Sequence, residues 1–246
     1  MSLLHGVRTV LLVHAHPDDE TLASGALILE LVARGIRVVL LTATRGERGE
    51  IVPAVRHRIP AGEVALTDER ERELATAVAA LGIAESHLLG TPPARATWMP
   101  LRRYRDSGMR WLRPGLAGPV DDIPIDALCA AELTEVTADV ATLIDIVQPD
   151  LVIGYDDNGG YGHPDHRRIR EAALGAATNA GVAFAELHDA PGAGVEWFDL
   201  RHRLPGVQRA LRAHASQLTV DGDHVVHSGG QREPLTTSVG LRLVTR

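Results

Sequence analysis

Three runs of branched and aliphatic residues, Arg8 to His14, Ile36 to Thr42 and Asp150 to Tyr155, each lead into a loop and then a helical pattern. That alternation predicts an α/β protein with a mostly parallel sheet and helices on both faces, a Rossmann-like arrangement. The runs are apolar at nearly every position rather than at alternate ones, as expected for inner strands covered on both sides. With 246 residues, 45% of them hydrophobic, the chain is long enough for one ample core, and a single domain over 1–246 is expected.

Each element has a local reason. Arg8 to His14 ends in a proline-containing turn and reads as a buried parallel strand. Thr21 to Arg34 carries Leu22, Leu27 and Leu31 on one side and stops at Gly35, so one helix is expected there. Ile36 to Thr42 then closes a βαβ unit. The stretch from Thr44 to Leu66, rich in Gly, Pro and Arg, reads as a long loop, and loops of that length are usually functional or disordered. Thr67 is the expected N-cap of a helix running through Leu74, Val78 and Leu81 to Gly82. A short strand over Ser86 to Leu89 follows.

From Thr91 to about Asp126 the composition shifts to Pro, Arg, Trp and Gly with little periodicity, which predicts an irregular insertion covering the site. Glu132 to Val147 is helical, and Asp150 to Tyr155 is a strand followed by a glycine-rich loop. His166 to Ala180 is helical again. Beyond that, Val195 to Leu200 reads as a strand, Val207 to Ala215 as a helix, and the tail from Thr219 as β-like.

The formal net charge of -7 argues against nucleic acid or an anionic membrane as partner. The chain has no lysine, which excludes Schiff-base and P-loop lysine chemistry. Cys129 is the only cysteine, so an intramolecular disulfide and a Cys-rich metal site are excluded. No apolar run approaches membrane-spanning length, and the N-terminus lacks the small-residue end of a cleavable signal, so a cytoplasmic protein is expected.

Chemistry concentrates at two strand ends. After the first strand come Ala15-His16-Pro17-Asp18-Asp19-Glu20. Imidazole and carboxylate together suit Zn²⁺, and residues three apart in a first turn share a face, so His16 and Asp19 can point at one ion. Asp18 is turned about 100° away and can reach a water on that ion as a general base. The bland alternative is that the acids only complement a helix dipole, which leaves His16 unexplained. The second cluster, His163-Pro164-Asp165-His166, follows Gly159-Gly160-Tyr161-Gly162 at the entry to another helix. One of its histidines completes a His-Asp-His set, the other is free to donate a proton or steady an oxyanion, and Asp165 can fix a histidine tautomer. In a parallel sheet both clusters fall on the carboxyl edge of the strands, where ligands bind.

Other features read more plainly. His14 is an alternative ligand partner for His16 but is better read as a polar residue packed near the site. His224 and His227, three apart in the tail and read as having no carboxylate partner, are expected to be surface residues. Gly160-Tyr161-Gly162 lacks the third glycine of a dinucleotide fingerprint, and no Walker sequence exists.

Taken together, the two motifs resemble the LmbE/PIG-L family of zinc-dependent N-acetylglucosaminyl deacetylases. Gly46-Glu47-Arg48-Gly49-Glu50, Arg70-Glu71-Arg72-Glu73-Leu74, Arg105-Asp106-Ser107-Gly108-Met109 and His214-Ala215-Ser216-Gln217 also resemble family segments. The resemblance implies His16, Asp19 and His166 as zinc ligands, with Asp18 as general base. His163 would steady the oxyanion and protonate the leaving amine, Tyr161 would assist the tetrahedral intermediate, and Asp165 would tune His163. It further implies sugar contacts from Glu50, with Glu47 the alternative, Arg70 and Asp106, and an acyl pocket lined by Met109. The substrate would be a small amino-sugar glycoside, as in the bacterial branch acting on mycothiol precursors or conjugates. Fe²⁺, Co²⁺ or Ni²⁺ suit the same ligands. Within the resemblance, an amidase on a larger acyl group, a non-catalytic sugar-binding protein and a homo-oligomer all stay open.

Overall fold

The computed structural model describes residues 2–244. Its centre is β1 (Thr9–His14), which pairs in parallel with β2 (Arg37–Thr42) on one side, in register Thr9 with Arg37 through His14 with Thr42. Between them lie α1 (Asp19–Leu22) and α2 (Gly25–Ala33). The chain continues through α3 (Glu63–Leu81) to β3 (Glu85–Leu88), then a hairpin of β4 (Arg110–Arg113) and β5 (Leu116–Gly118). After α4 (Leu133–Val147), β6 (Leu151–Gly154) pairs in parallel with the other side of β1. Next come α5 (Pro164–Ala180), β7 (Ala183–His188), β8 (Glu196–Asp199) and α6 (Leu204–Leu211). The last strands are β9 (Leu218–Asp221), β10 (His224–His227), β11 (Arg232–Pro234) and β12 (Ser238–Leu243).

The main sheet runs β3-β2-β1-β6-β7-β12-β8. Its first five strands are parallel; β12 is antiparallel to β7, and β8 in turn is antiparallel to β12. Alternate residues of β1 supply two cores. Val10 and Leu12 pack with Leu27, Ile28 and Leu31 of α2, Leu74 and Leu81 of α3 and Val207 of α6. Leu11 and Val13 face Val140 and Leu143 of α4 and Ile169, Ala172 and Ala173 of α5. Each such leucine, fully buried, contributes about 1.5–3 kcal/mol. No helix among the described residues is long and apolar enough to cross a membrane.

The structure departs from the sequence expectations in several places. The helix expected over Thr21 to Arg34 is broken at Ala23 and Ser24, because the Ser24 hydroxyl donates back to the Glu20 carbonyl at 2.9 Å and bonds the His14 ring at 2.9 Å. Thr67 does not cap α3. Gly62, at φ +120, opens that helix, and the Thr67 hydroxyl bonds the Val64 carbonyl inside it at 3.0 Å. The insertion at 91–126 contains the β4–β5 hairpin. It is fixed to α4 by the Arg95 guanidinium, 2.8 Å from Asp139 and 2.9 Å from Glu135, and by the Tyr104 hydroxyl on Asp139 at 2.8 Å. Strand β7 was not expected at all. His224 and His227 do have carboxylate neighbours, Asp223 at 2.5 Å and Glu233 at 3.7 Å. Thr245 and Arg246, the end of the tail read as β-like, lie outside the described residues.

Candidate active site

Because β1 and β6 are paired, the segments leaving their carboxyl ends must meet. His16 leaves β1 and Asp19 opens α1. His163 is the N-cap of α5, with Pro164 at its first turn and His166 two residues further on. Three atoms converge: His16 Nδ1, His166 Nε2 and Asp19 Oδ2, each 3.3 Å from the other two. A tetrahedral ion with bonds of about 2.0–2.1 Å needs ligand atoms about 3.3–3.4 Å apart, so this triangle fits a metal without rearrangement.

The far side of each donor is also held. The His16 Nε2–H points at Asp165 Oδ2, 3.3 Å away, with Asp106 Oδ1 at 3.6 Å, which leaves Nδ1 free to ligate. His166 Nδ1–H donates to the Gly159 carbonyl at 3.2 Å, leaving Nε2 free. Gly159 sits at φ +70, and a Cβ there would lie 3.0 Å from that of His166, so this loop position needs glycine. Asp19 Oδ2 accepts from the Tyr155 hydroxyl at 2.7 Å and from the His16 backbone at 2.8 Å.

Two other donor sets lie within 4.8 Å, namely His16, His163 and His166, and His16, Asp106, His163 and Asp165. Both include His163, whose Nδ1 already accepts the Asp165 backbone N–H at 3.2 Å. The second uses the other ring nitrogen of His16, Nε2, which lies 3.3 Å from Asp165 and 3.6 Å from Asp106. The set with Asp19 has all three donor atoms at the spacing a tetrahedral ion needs.

Electrostatics separate the two adjacent aspartates. Burial works against the Asp19 charge, but His166 and His16 outweigh it and hold the carboxyl well below its usual range. Asp18 is pushed up to about 8, first by burial and then by the Asp19 charge. A divalent cation beside it would draw that value back down. For His16, burial is outweighed by Asp106, Asp165 and Asp19, and its pKa is raised. His163 is pushed down to about 2 by burial and by the neighbouring His16 and His166, so its ring is neutral. With Nδ1 accepting, the proton of that neutral ring is on Nε2.

The other expected site residues divide. Tyr161 is 38% exposed, its ring 5.1 Å from that of His166 and 6.1 Å from that of His163. The Asp165 carboxylate makes no hydrogen bond to the His163 ring and acts on it through its charge, which works to raise that ring's pKa. The carboxylate accepts from His16, from Ser107 N at 2.8 Å and from Cys129 N at 2.9 Å, while the Asp165 backbone N–H donates to His163 Nδ1. The reason is the N-cap geometry, which spends His163 Nδ1 on the helix start and leaves the Asp165 side chain facing His16.

Asp106 is buried beside His16 and is braced by Gly108 N at 2.7 Å and Arg48 N at 3.2 Å. Arg70 is buried with its guanidinium on the carbonyls of Gly46 and, at 3.0 Å, Glu50, so it shapes the 46–50 loop rather than offering a free cation. A Cβ at Gly49 would sit 2.1 Å from Arg70 Nη1. The Glu50 carboxylate is exposed and lies 3.3 Å from the Ser228 hydroxyl, beyond the turn at Glu47 and Arg48 that the Gly49 N–H closes on the Gly46 carbonyl at 3.1 Å. Glu47 is the buried acid of that loop, and it accepts from Asp106 N at 3.0 Å and Arg103 at 3.1 Å. Met109 is half-buried just before β4.

His14 is confirmed as packing. Burial lowers its pKa to about 4, and its ring stands edge-on to Tyr155. Tyr155 itself was overlooked by sequence reasoning, although it holds Asp19 and stacks on His166 at 4.1 Å between centroids. An aromatic with a polar tip at a strand's carboxyl end was the available signal. The fully buried pair of His214 and Glu20, 2.8 Å apart, was missed as well.

The family profile described as "PIG-L: GlcNAc-PI de-N-acetylase" matches residues 11–177. The chain belongs to the PIG-L family. That match spans β1 to α5 and so includes both motifs, whereas His214 and its neighbours lie beyond it. Among curated PIG-L relatives, the 1D-myo-inositol 2-acetamido-2-deoxy-alpha-D-glucopyranoside deacetylase of Kineococcus radiotolerans is 45% identical over 170 residues, 69% of this chain and 44% of that protein. The protein of the same description from Acidothermus cellulolyticus is 38% identical over 266 residues, covering 92% of this chain and 86% of its own length. The chain thus spans about half the length of several curated relatives it matches, from 44% to 59% in four of them. The solved N,N'-diacetylchitobiose deacetylase of Pyrococcus horikoshii shares the fold, with TM-score 0.61, 20% identity, and coverage of 86% of this chain and 71% of that one.

Proposed function

We propose that this chain is a zinc-dependent deacetylase, hydrolysing the acetamide of an N-acetylglucosamine unit in a small glycoside such as its inositol conjugate. The observation that carries this reading is the triangle of His16, Asp19 and His166 donors, with Asp18 the residue before Asp19 and its buried carboxyl raised by the Asp19 charge after burial itself. The inositol glycoside is supported by the names of the relatives above.

His16 Nδ1, Asp19 Oδ2 and His166 Nε2 would hold the ion. Once bound, zinc would polarise the amide carbonyl and lower the pKa of water at the site. Asp18 takes the proton of the attacking water. A bond forms from the water oxygen to the acetyl carbon, and His163 Nε2–H steadies the oxyanion, with Tyr161 at the rim assisting. The carbon–nitrogen bond then breaks, and His163 hands its Nε2 proton to the departing amine as it regains the one held by Asp18. Acetate and the free amino sugar leave. In this reading Asp106 borders the sugar and Met109 lines the acyl pocket, while Arg70 and Glu47 keep the loop in shape.

The test is acetate release from N-acetylglucosamine, its inositol glycoside and a glycosylated natural-product core, using zinc-loaded and chelator-stripped protein. Metal-dependent acetate is the expected result. One tightly held ion with no acetate from any of the three would overturn the reading.

A further inference from the structure

Asp18 is in an unusual backbone conformation, φ 109 and ψ −31, one of two non-glycine residues at positive φ among the described residues. Such a conformation persists only where the surroundings over-determine it. Here they do so at both ends of one peptide. The Pro17 carbonyl accepts from Gln217 Nε2 at 2.8 Å, and the Asp18 N–H donates to Glu20 Oε2 at 2.9 Å.

Glu20 does not act alone. Its other oxygen accepts from His214 Nε2 at 2.8 Å and from the Thr21 hydroxyl, and both acid and imidazole are fully buried. Between His214 and Gln217, Ser216 is anchored to α3 by its N–H and hydroxyl, each 2.6 Å from a Glu73 oxygen. Gln217 therefore reaches back 200 positions to the peptide that carries Asp18, His214 reaches it through Glu20, and Ser216 anchors their segment. A buried ion pair is a costly way to brace two segments if bracing is all it does, since apolar side chains of the same size serve as well.

We propose that Glu20, His214 and Gln217 are positioning residues for Asp18: they clamp the Pro17–Asp18 peptide by its carbonyl and its N–H, and so fix the carboxylate beside the metal donors. This rests on the reading of Asp18 as general base. The clamp uses direct bonds to the reacting residue's own peptide, so it acts on turnover and not on metal binding, because the bonds that support His16, Asp19 and His166 are made elsewhere.

The experiment compares zinc-loaded Gln217→Leu, Glu20→Gln and Glu20→Ala with the unaltered chain, each also on an Asp18→Asn background, for kcat, KM and metal content. Gln217→Leu is expected to lower kcat by about 10–100-fold, the range for a catalytic group displaced by roughly 1 Å, with KM and metal content unchanged. Glu20→Gln can still accept the Asp18 N–H and should retain more activity than Glu20→Ala. On the Asp18→Asn background, Gln217→Leu should change the residual rate less than about twofold, because there is no carboxylate left to misplace. An equal loss on both backgrounds, or an unchanged kcat, would overturn the proposal. Gln217 is only half-buried, so its variant keeps the test alive even if Glu20→Ala does not fold. Should the unaltered chain release no acetate, the deacetylase reading falls separately. The clamp is then judged by a crystal structure of Gln217→Leu, in which Asp18 relaxes to negative φ if the proposal holds and keeps its conformation if it does not.

Discussion

Replacing Tyr155 with Phe isolates one oxygen atom. The ring that stacks on His166 stays, and only the hydroxyl is lost, which donates to Asp19 Oδ2 at 2.7 Å and accepts from Ala15 N at 2.8 Å. Burial, followed by the Asp19 charge, raises the Tyr155 pKa well above its usual value, so the hydroxyl is a donor throughout the working range. Its loss orphans the Ala15 N–H, at about 1–3 kcal/mol, and removes a hydrogen bond to a charged group, worth about 1.5–3 kcal/mol. The two effects overlap, and a loss of about 3 kcal/mol is expected in the metal-free protein. At about 2–4 °C per kcal/mol for a chain of this size, its Tm falls by about 6–12 °C. Zinc affinity should fall as well, by about 10–100-fold, as it does when an outer partner of a metal ligand is removed. Thermal unfolding of the stripped protein reads the first quantity, and competition against a fluorescent chelator reads the second. If Tm falls while zinc affinity is unchanged, Tyr155 only packs the strand end, and the assignment of Asp19 as a ligand loses its best support.

Asp165→Asn should also weaken zinc binding by about 10–100-fold, because an amide cannot at once accept from His16, Ser107 N and Cys129 N as the carboxylate does; unchanged affinity would detach His16 from the site. Asp18→Asn bears on pH. Asp18 keeps its proton to about 8 in the folded, metal-free chain, whereas an unfolded Asp ionises near about 4. Its contribution to stability is therefore fully present below pH about 4 and is lost as pH rises toward about 8. The asparagine variant cannot ionise and should gain on the unaltered chain across that window, and a pH-independent difference in denaturant midpoints would refute this. Arg95→Met leaves Asp139 and Glu135 without their buried cation, which costs about 3 kcal/mol or more and should expose the 91–126 segment to limited proteolysis. Unchanged Tm and cleavage would mean that Tyr104, the Ala96 N–H and Arg102 hold the insertion to α4 without Arg95.

Which parts of the fold could be read in advance follows from where the energy is local. Strands β1, β2 and β6 are apolar on both faces, and that pattern has few alternatives beside glycine and proline stops. Strand β7, Ala183–His188, carries an alanine at each of two positions and a buried glutamate, and it is a strand because its backbone pairs with β6 and β12, where Glu186 meets Arg170 of α5 and Arg242 of β12 (2.8 Å). Nothing within six residues announces that pairing. The break between α1 and α2 is hidden for a similar reason: serine is unremarkable in a helix until its hydroxyl is known to be shared between a carbonyl one turn back and a buried histidine.

The same distinction runs through the site. That the two motifs would bring histidine and carboxylate donors together was legible, because such atoms are scarce and had to follow strands that end side by side, and the family resemblance picked out His166 from His163. Their supports were not, since a supporting group is chosen by direction and not by type. Asp165 was read as fixing a histidine tautomer, and its hydrogen bond goes to His16 and not to the His163 ring. Its position beside His163 in sequence suggested a partnership, but a residue at the N-cap directs its ring to the backbone of the turn it starts, and the next carboxylate is carried around the axis toward another strand's histidine. Glu50 and its alternative Glu47 are told apart by the turn at Glu47 and Arg48, which leaves Glu50 exposed near Ser228 and puts the buried Glu47 beside Asp106. Spacing along the chain therefore identifies which groups can take part in the chemistry here, while the hydrogen bonds that orient them depend on turns whose outcome only the assembled sheet decides.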